Sequence, residues 1–225
     1  MALASPHAPL CRDESEHKLP RSFYLRPTLT VAKELLGKFL CRRFRNKTLI
    51  GRIVEVEAYL GAKDPASHAY RGRTRRNDVM FWEGGHLYVY FTYGMHFCAN
   101  VVTEREGKGM AVLLRAVEPV QGMEIMIRNR QLRESAGDKR ILRNLCSGPA
   151  RFCQAFAIAR NENGTDLCGK EIWIARDMSA AGRDPIGAST RVGVRNGSKN
   201  RWRFYFKASP FVSPGKPASV RPEQA

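Results

Sequence analysis

Side chains alternate through the stretch Leu87 to Asn100, which reads as two short strands folded over a tip at Tyr93-Gly94-Met95. Period two puts Tyr88, Tyr90 and Thr92 on one face and Leu87, Val89 and Phe91 on the other. Gly94 supplies the positive φ that a tight turn demands. The same alternation predicts strands over Phe39 to Phe44 and Leu49 to Leu60, turned at Arg45-Asn46-Lys47, and over Met110 to Val117. Asp166 to Arg176, Thr190 to Val194 and Arg201 to Ser209 read as further strands. Val31 with Leu35, and Ala32 with Leu36, mark a short helix over Thr28 to Leu36, between Pro27 and Gly37. Pro119 is expected to open a second helix through about Arg133. Leu145 to Phe152 reads as a cap at Ser147 followed by helix, with Pro149 in the first turn. Strands joined by short turns, with helices inserted and not alternating, predict an antiparallel α+β domain over a doubly wound one.

The 225 residues suffice for one substantial core. Met1 to about Pro20 and the chain after Pro214 show no period and read as loose tails, which leaves a single domain over 21–213. No apolar run approaches the roughly 20 residues of a membrane-spanning helix, and no signal peptide is read at the N-terminus. Cys11, Cys41, Cys98, Cys146, Cys153 and Cys168 are scattered through apolar or strand-like surroundings, as reduced thiols of an intracellular protein would be. Without a C-x-x-C pair no structural zinc site is expected, and no phosphate-binding glycine motif is present.

Charge changes the meaning of the hairpin. Thirty-eight Lys and Arg against 21 Asp and Glu give +17 and a pI near 10.1. A polyanion is then the default partner, and nucleic acid ranks above a membrane because no long basic amphipathic helix appears. Tyr93 and Met95 occupy a tip where solubility alone would place Asn, Asp or Lys. On a basic protein such an apolar wedge fits insertion between stacked bases. The plainer alternative is a tip packed beneath another loop.

Candidate chemistry gathers on the second strand. Alternation aligns Ile53, Glu55, Glu57 and Tyr59. Two carboxylates beside Val and Ile are costly if buried, so this is either a solvated face or a carboxylate at a site floor with an aromatic two residues away. Arg115 is a lone cation amid apolar neighbours and requires an anion, whether a structural one such as Glu55 or a functional one such as Glu57. Arg71, Arg73, Arg75 and Arg76 crowd one loop and suit phosphate contact, or simply a solvated basic surface.

Three ordered motifs then stand together: Arg52 to Gly61 (RIVEVEAYLG) with His68 following, Leu87 to Asn100 (LYVYFTYGMHFCAN), and Val112 to Pro119 (VLLRAVEP). They closely resemble the alkyladenine (3-methyladenine) DNA glycosylase family. Leu145 to Pro149, Arg191 to Val194, and Arg203 to Phe206 with Ser209-Pro210 match it as well, so the resemblance spans about Phe23 to Ser213. It implies a single mixed domain around a curved antiparallel sheet, with a protruding hairpin that enters the minor groove and peripheral helices. It also implies a monomeric, monofunctional base-excision enzyme without cofactor or metal. Such an enzyme cuts 3-methyladenine, 7-methylguanine, hypoxanthine and ethenoadenine from double-stranded DNA and leaves an abasic site. By resemblance Glu57 is the general base and Arg115 helps hold the water and the carboxylate. Tyr59 and Tyr90 stack on the flipped base, and the His68 amide meets its position 6. Asn100 sits beside its minor-groove edge, and the Val194 carbonyl lies near base and water. Tyr93 is the wedge and Met95 its support. Glu55 is a structural neighbour. His96, after the wedge turn, and Arg195, after Val194, depart from the family pattern and bear on substrate breadth. A lyase would need an amine; Lys63 and Lys108 are the nearest lysines and match no nucleophile. Composition alone would also accommodate a non-catalytic binder of bent or damaged DNA or an RNA-binding β-domain.

Overall fold

The computed structural model describes residues 17–133, 137–177, 184–194 and 199–214. Of the expected tails, residues 1–16 and 215–225 lie outside the described residues, as does Arg195. The strands in chain order are β1 (Phe39–Phe44), β2 (Lys47–Leu60), β3 (Leu87–Thr92), β4 (His96–Thr103), β5 (Met110–Gln121), β6 (Ile172–Ala175), β7 (Ile186–Ser189) and β8 (Arg203–Phe206). The helices are α1 (Arg21–Tyr24), α2 (Thr28–Leu35), α3 (Met123–Asn129), α4 (Lys139–Leu145) and α5 (Pro149–Ala155).

Every strand pairing is antiparallel, in the order β3-β4-β5-β2-β1-β6, with β8 on β2 and β7 on β8. The sheet therefore forks at β2. Lys47 to Arg52 pair with β1, Glu55 to Glu57 pair with β8, and β5 runs along the other side. Against β5 the register of β2 slips between Ile50 and Gly51, between Ile53 and Glu55, and between Glu55 and Val56. Such bulges bend and twist a strand, and three in one strand curl the sheet.

The main core fills one face. α2 sets Val31, Ala32 and Leu35 on β2 and β5, and α5 sets Phe152, Cys153 and Ala155 on β4 and β5. Val54, Val56, Ala58, Leu114 and Ala116 meet them there. Ile53 joins that core too, because the bulge after it interrupts the alternation; it does not share a face with Glu57 and Tyr59. On the opposite side the long connection from Gly61 to His86 folds over the sheet, with Ala69, Val79, Met80 and Phe81 packed on Tyr88, Val102 and Ala111.

Several elements differ from the sequence reading. Pro119 opens no helix: β5 runs through it, and α3 starts only at Met123. β4 stops pairing with β5 at Leu113, so the proline, which has no N–H to donate, lies where the strand has lost one neighbour. Gly122, at φ 83°, then turns the chain, and a Cβ there would meet Leu49 at 2.5 Å. Ser147 does not cap α5; Gly148 occupies that position, and the Ser147 hydroxyl donates to the Val212 carbonyl at 3.1 Å. Thr190 to Val194 is no strand. The strand is β7, just before it, and the segment instead crosses β2 with Arg191 buried. The strand expected from Asp166 shrinks to β6 because the Asp166 carbonyl accepts from Gly169 N in a turn. Ordered pairing begins ahead of Pro20: Lys18 bridges to Ala175, and Leu19 N donates to the Ile174 carbonyl at 2.8 Å.

Candidate active site and nucleic-acid interface

Where β2, β5 and β8 run side by side, two fully buried carboxylates stand two residues apart. Glu55 Oε1 accepts from Arg115 Nε (2.8 Å), Arg203 Nε (2.7 Å) and the Ser213 hydroxyl (2.9 Å), and Oε2 accepts from Ser213 N (2.6 Å). Glu57 Oε1 accepts from Val192 N at 2.7 Å and lies 3.3 Å from Arg115 Nη1, and Oε2 accepts from the Tyr59 hydroxyl at 3.0 Å. The sequence left Arg115 a choice between Glu55 and Glu57; the fold gives it both. Two arginines answer two carboxylates, so no buried charge is left uncompensated. Burial works to lower the Arg115 pKa, but Glu57 and Glu55 outweigh it and hold the group charged. Burial, then the neighbouring Glu57, push the Tyr59 hydroxyl well above its ordinary value, so it remains a proton donor.

Tyr59, His68, Tyr90 and Asn100 come together on one cavity of about 70 Å³, with Tyr88 and Met80 beside them. Glu57 and Arg115 are not on its wall; Glu57 connects to it through Tyr59. The His68 ring stands edge-on to Tyr90, centroids 4.5 Å apart at 76°, and its Nδ1 is 3.0 Å from the Tyr88 hydroxyl. Loss of water around the ring, then the nearby Arg76, lower the His68 pKa, while burial pushes Tyr88 up to about 12. At neutral pH the pair is therefore a phenol hydrogen-bonded to an uncharged imidazole. Asn77 Nδ2 holds the His68 carbonyl at 2.8 Å, and Asn100 Nδ2 donates to the Tyr88 carbonyl at 3.1 Å. The amides of Ala66, Ser67, Ala69 and Tyr70 are all taken within their own turns, whereas that of His68 has no partner among the described residues. Val194 is half-buried, two residues beyond the Val192 amide.

The β3–β4 tip is not packed beneath a loop. Tyr93 is 87% exposed and Met95 70%, with Tyr93 and Gly94 both at positive φ. Beside the tip runs a groove of about 810 Å³ lined by Arg75, Arg76, Phe91, Tyr93 and Phe97, with Arg160 from the turn after α5. Only two of the four clustered arginines line it. Arg73 turns away to Asp78 at 2.6 Å, and Arg71 is exposed elsewhere on the loop. Arg76 donates to the Phe91 carbonyl at 3.2 Å. Among the described residues no three His, Cys, Asp or Glu side chains converge as a metal site, and no helix is long and apolar enough to cross a membrane.

Sequence reasoning missed Tyr88, Arg160, Arg203, Ser213 and the Val192 amide. Tyr88 was within reach, since it shares the alternating face of Tyr90. A backbone amide such as that of Val192 leaves no signature in side-chain identity.

Known proteins agree with this architecture. The profile of the "Methylpurine-DNA glycosylase (MPG)" family matches residues 22–210. A protein of Carboxydothermus hydrogenoformans named "Putative 3-methyladenine DNA glycosylase" is 47% identical over 195 residues, covering 87% of this chain and 98% of its own. Proteins of the same name from Alkaliphilus oremlandii and Methanocella arvoryzae are each 45% identical. They cover 87% and 90% of this chain and 98% of their own lengths. The chain is of the DNA glycosylase class, hydrolases of N-glycosyl bonds that serve base excision repair. Within that class it belongs to the methylpurine-DNA glycosylase family.

Proposed function

We propose that this glycosylase is a monofunctional, intracellular monomer that flips 3-methyladenine, 7-methylguanine, hypoxanthine or ethenoadenine out of duplex DNA and hydrolyses its N-glycosidic bond. The observation that carries the reading is Glu57: fully buried, oriented by Val192 N, Arg115 and the Tyr59 hydroxyl, and joined through Tyr59 to an aromatic cavity.

A stacked base hides its glycosidic bond, and extruding it costs a few kcal/mol. Tyr93, seconded by Met95, fills the vacated space. Arg75, Arg76 and Arg160 hold phosphates along the groove, with Arg71 and Arg73 farther out on the same loop. The purine enters between Tyr59 and Tyr90; stacking recovers roughly 1–3 kcal/mol per base, and cationic alkylated bases gain a cation–π attraction. The unpartnered His68 amide donates to position 6, which favours bases lacking a 6-amino donor, and Asn100 disfavours the 2-amino group of guanine. Hydrolysis proceeds through a sugar with oxocarbenium character. Glu57 accepts the proton of the attacking water and stabilises that cation, Arg115 holds water and carboxylate, and the Val194 carbonyl lies beside them. The C–N bond breaks, the base leaves, and the water oxygen completes the abasic sugar. Lys63 and Lys108, the lysines nearest the motifs, are exposed and match no family nucleophile, so no Schiff-base step is expected.

The test is excision from duplexes carrying one of the four lesions, developed with and without alkali. Strand breaks only after alkali are expected. Breaks without alkali would mean a lyase, and none on any lesion would leave a DNA-binding protein.

A further inference from the structure

Arg191 belongs to a motif that the chemistry above does not use, yet it is among the largest fully buried side chains in the molecule. Its guanidinium lies between two rings, 4.5 Å from the centroid of Tyr59 and 5.1 Å from that of Trp202. In the plane of the group, Nη2 donates to Asp64 Oδ1 at 2.8 Å, and Nη1 donates to Asp64 Oδ2 and, at 3.0 Å, to the Ala58 carbonyl. Nε finds no partner among the described residues. Asp64 is equally buried and anchors the turn ahead of His68: it accepts Leu60 N at 3.2 Å and Ala66 N at 3.1 Å through its side chain, and Ser67 N at 2.8 Å through its carbonyl. The residue after Arg191 is Val192, whose amide holds Glu57. Ala58, between Glu57 and Tyr59, is gripped from both sides, by Arg191 on its carbonyl and by the Trp202 carbonyl on its amide at 2.8 Å.

A buried ion pair adds little net stability over a well-packed apolar pair, so stability alone does not account for one here. What distinguishes this pair is where its contacts end. From one planar group they reach the ring of Tyr59, the turn that presents His68, and the backbone carbonyl of Ala58 beside Glu57. We propose that Arg191, paired with Asp64, is the positioning residue of this site, setting the stacking ring, the His68 turn and the Glu57 carboxylate in a single register. Lysine cannot replace it. An ammonium group has no plane to lie between two rings and no fork to hold both Asp64 oxygens. The inference rests on the glycosylase reading above.

The experiment compares wild type, Arg191→Lys and Glu57→Gln on duplexes carrying ethenoadenine. Fluorescence of the extruded base reports flipping, single-turnover excision reports chemistry, and both are scaled to the folded fraction. For Arg191→Lys the flipped signal is expected to fall, and excision to fall by about tenfold to a hundredfold, as misplacements near 1 Å cost. Affinity for undamaged duplex is expected to stay unchanged. A purely structural ion pair would lower the melting temperature and leave flipping and excision per folded molecule at wild-type values; that result overturns the inference while wild-type excision and its loss in Glu57→Gln uphold the glycosylase. Absence of wild-type excision on every lesion would instead remove the reading beneath it. If Arg191→Lys does not fold, Trp202→Leu removes only the outer ring and carries the same expectation at smaller size. Unchanged flipping in that variant overturns the inference equally.

Discussion

Glu55 and Glu57 lie two residues apart on one strand, equally buried and both touched by Arg115, yet their surroundings differ in kind. Glu55 is enclosed by two guanidinium groups and by the amide and hydroxyl of Ser213, which come from β5, β8 and the segment beyond it. Glu57 is held by one backbone amide, one more distant guanidinium nitrogen and a phenol that also lines the cavity. The first arrangement is closed and ties the sheet together. The second leaves the carboxylate one hydrogen bond from the cavity, through Tyr59. Identity and burial do not separate a structural acid from a reactive one; the donors around each oxygen do.

Substitution should pull the two apart. Glu57→Gln is expected to lower excision by about 10²–10⁴-fold while the melting temperature and DNA affinity hold, since Arg115 keeps Glu55. Glu55→Ala is expected to do the reverse. It strands Arg203 and part of Arg115 in the interior, at about 3–5 kcal/mol of unfolding free energy, with excision per folded molecule retained; denaturant titration beside single-turnover kinetics measures both. Tyr93→Ser touches neither cluster. Its side chain is almost wholly exposed, so stability should move by no more than about 0.5 kcal/mol, while excision from duplex slows through loss of the wedge.

Smaller effects attach to Arg76. Replacing it with Ala is expected to flatten the slope of log affinity against log salt by about 0.9 if one phosphate contact goes. It should also raise the His68 pKa toward its ordinary 6.5, because Arg76 is one of the two causes of the depression. With the folded value below 6.5, stability from the neutral ring is complete above pH 6.5 and lost as pH falls through the folded value. The variant should shift that loss to higher pH, as an NMR titration of the ring would record.

The contrast also marks what the chain discloses before folding. Alternation placed the β3–β4 hairpin and its tip correctly, because period two and an apolar residue at a turn are local facts. Glu57 and Arg115 stood out because charges among Val and Ile are conspicuous. Hidden were the features made at long range. Arg203 and Ser213 lie 148 and 158 positions from the carboxylate they enclose. The bulges of β2 lie in its pairing with β5, a long-range contact, and they send Ile53 into the core against the simple pattern. Pro119 misled for a related reason: proline is refused where a neighbouring strand needs its N–H, and here β4 has already ended.

The most direct measurement is single-turnover excision of hypoxanthine from a duplex by wild type and Glu57→Gln, with binding of the same duplex measured in parallel. Alkali-dependent cleavage by wild type, and tight binding without cleavage by Glu57→Gln, is the predicted result. Cleavage by Glu57→Gln at the wild-type rate would contradict the assignment of Glu57 as the base.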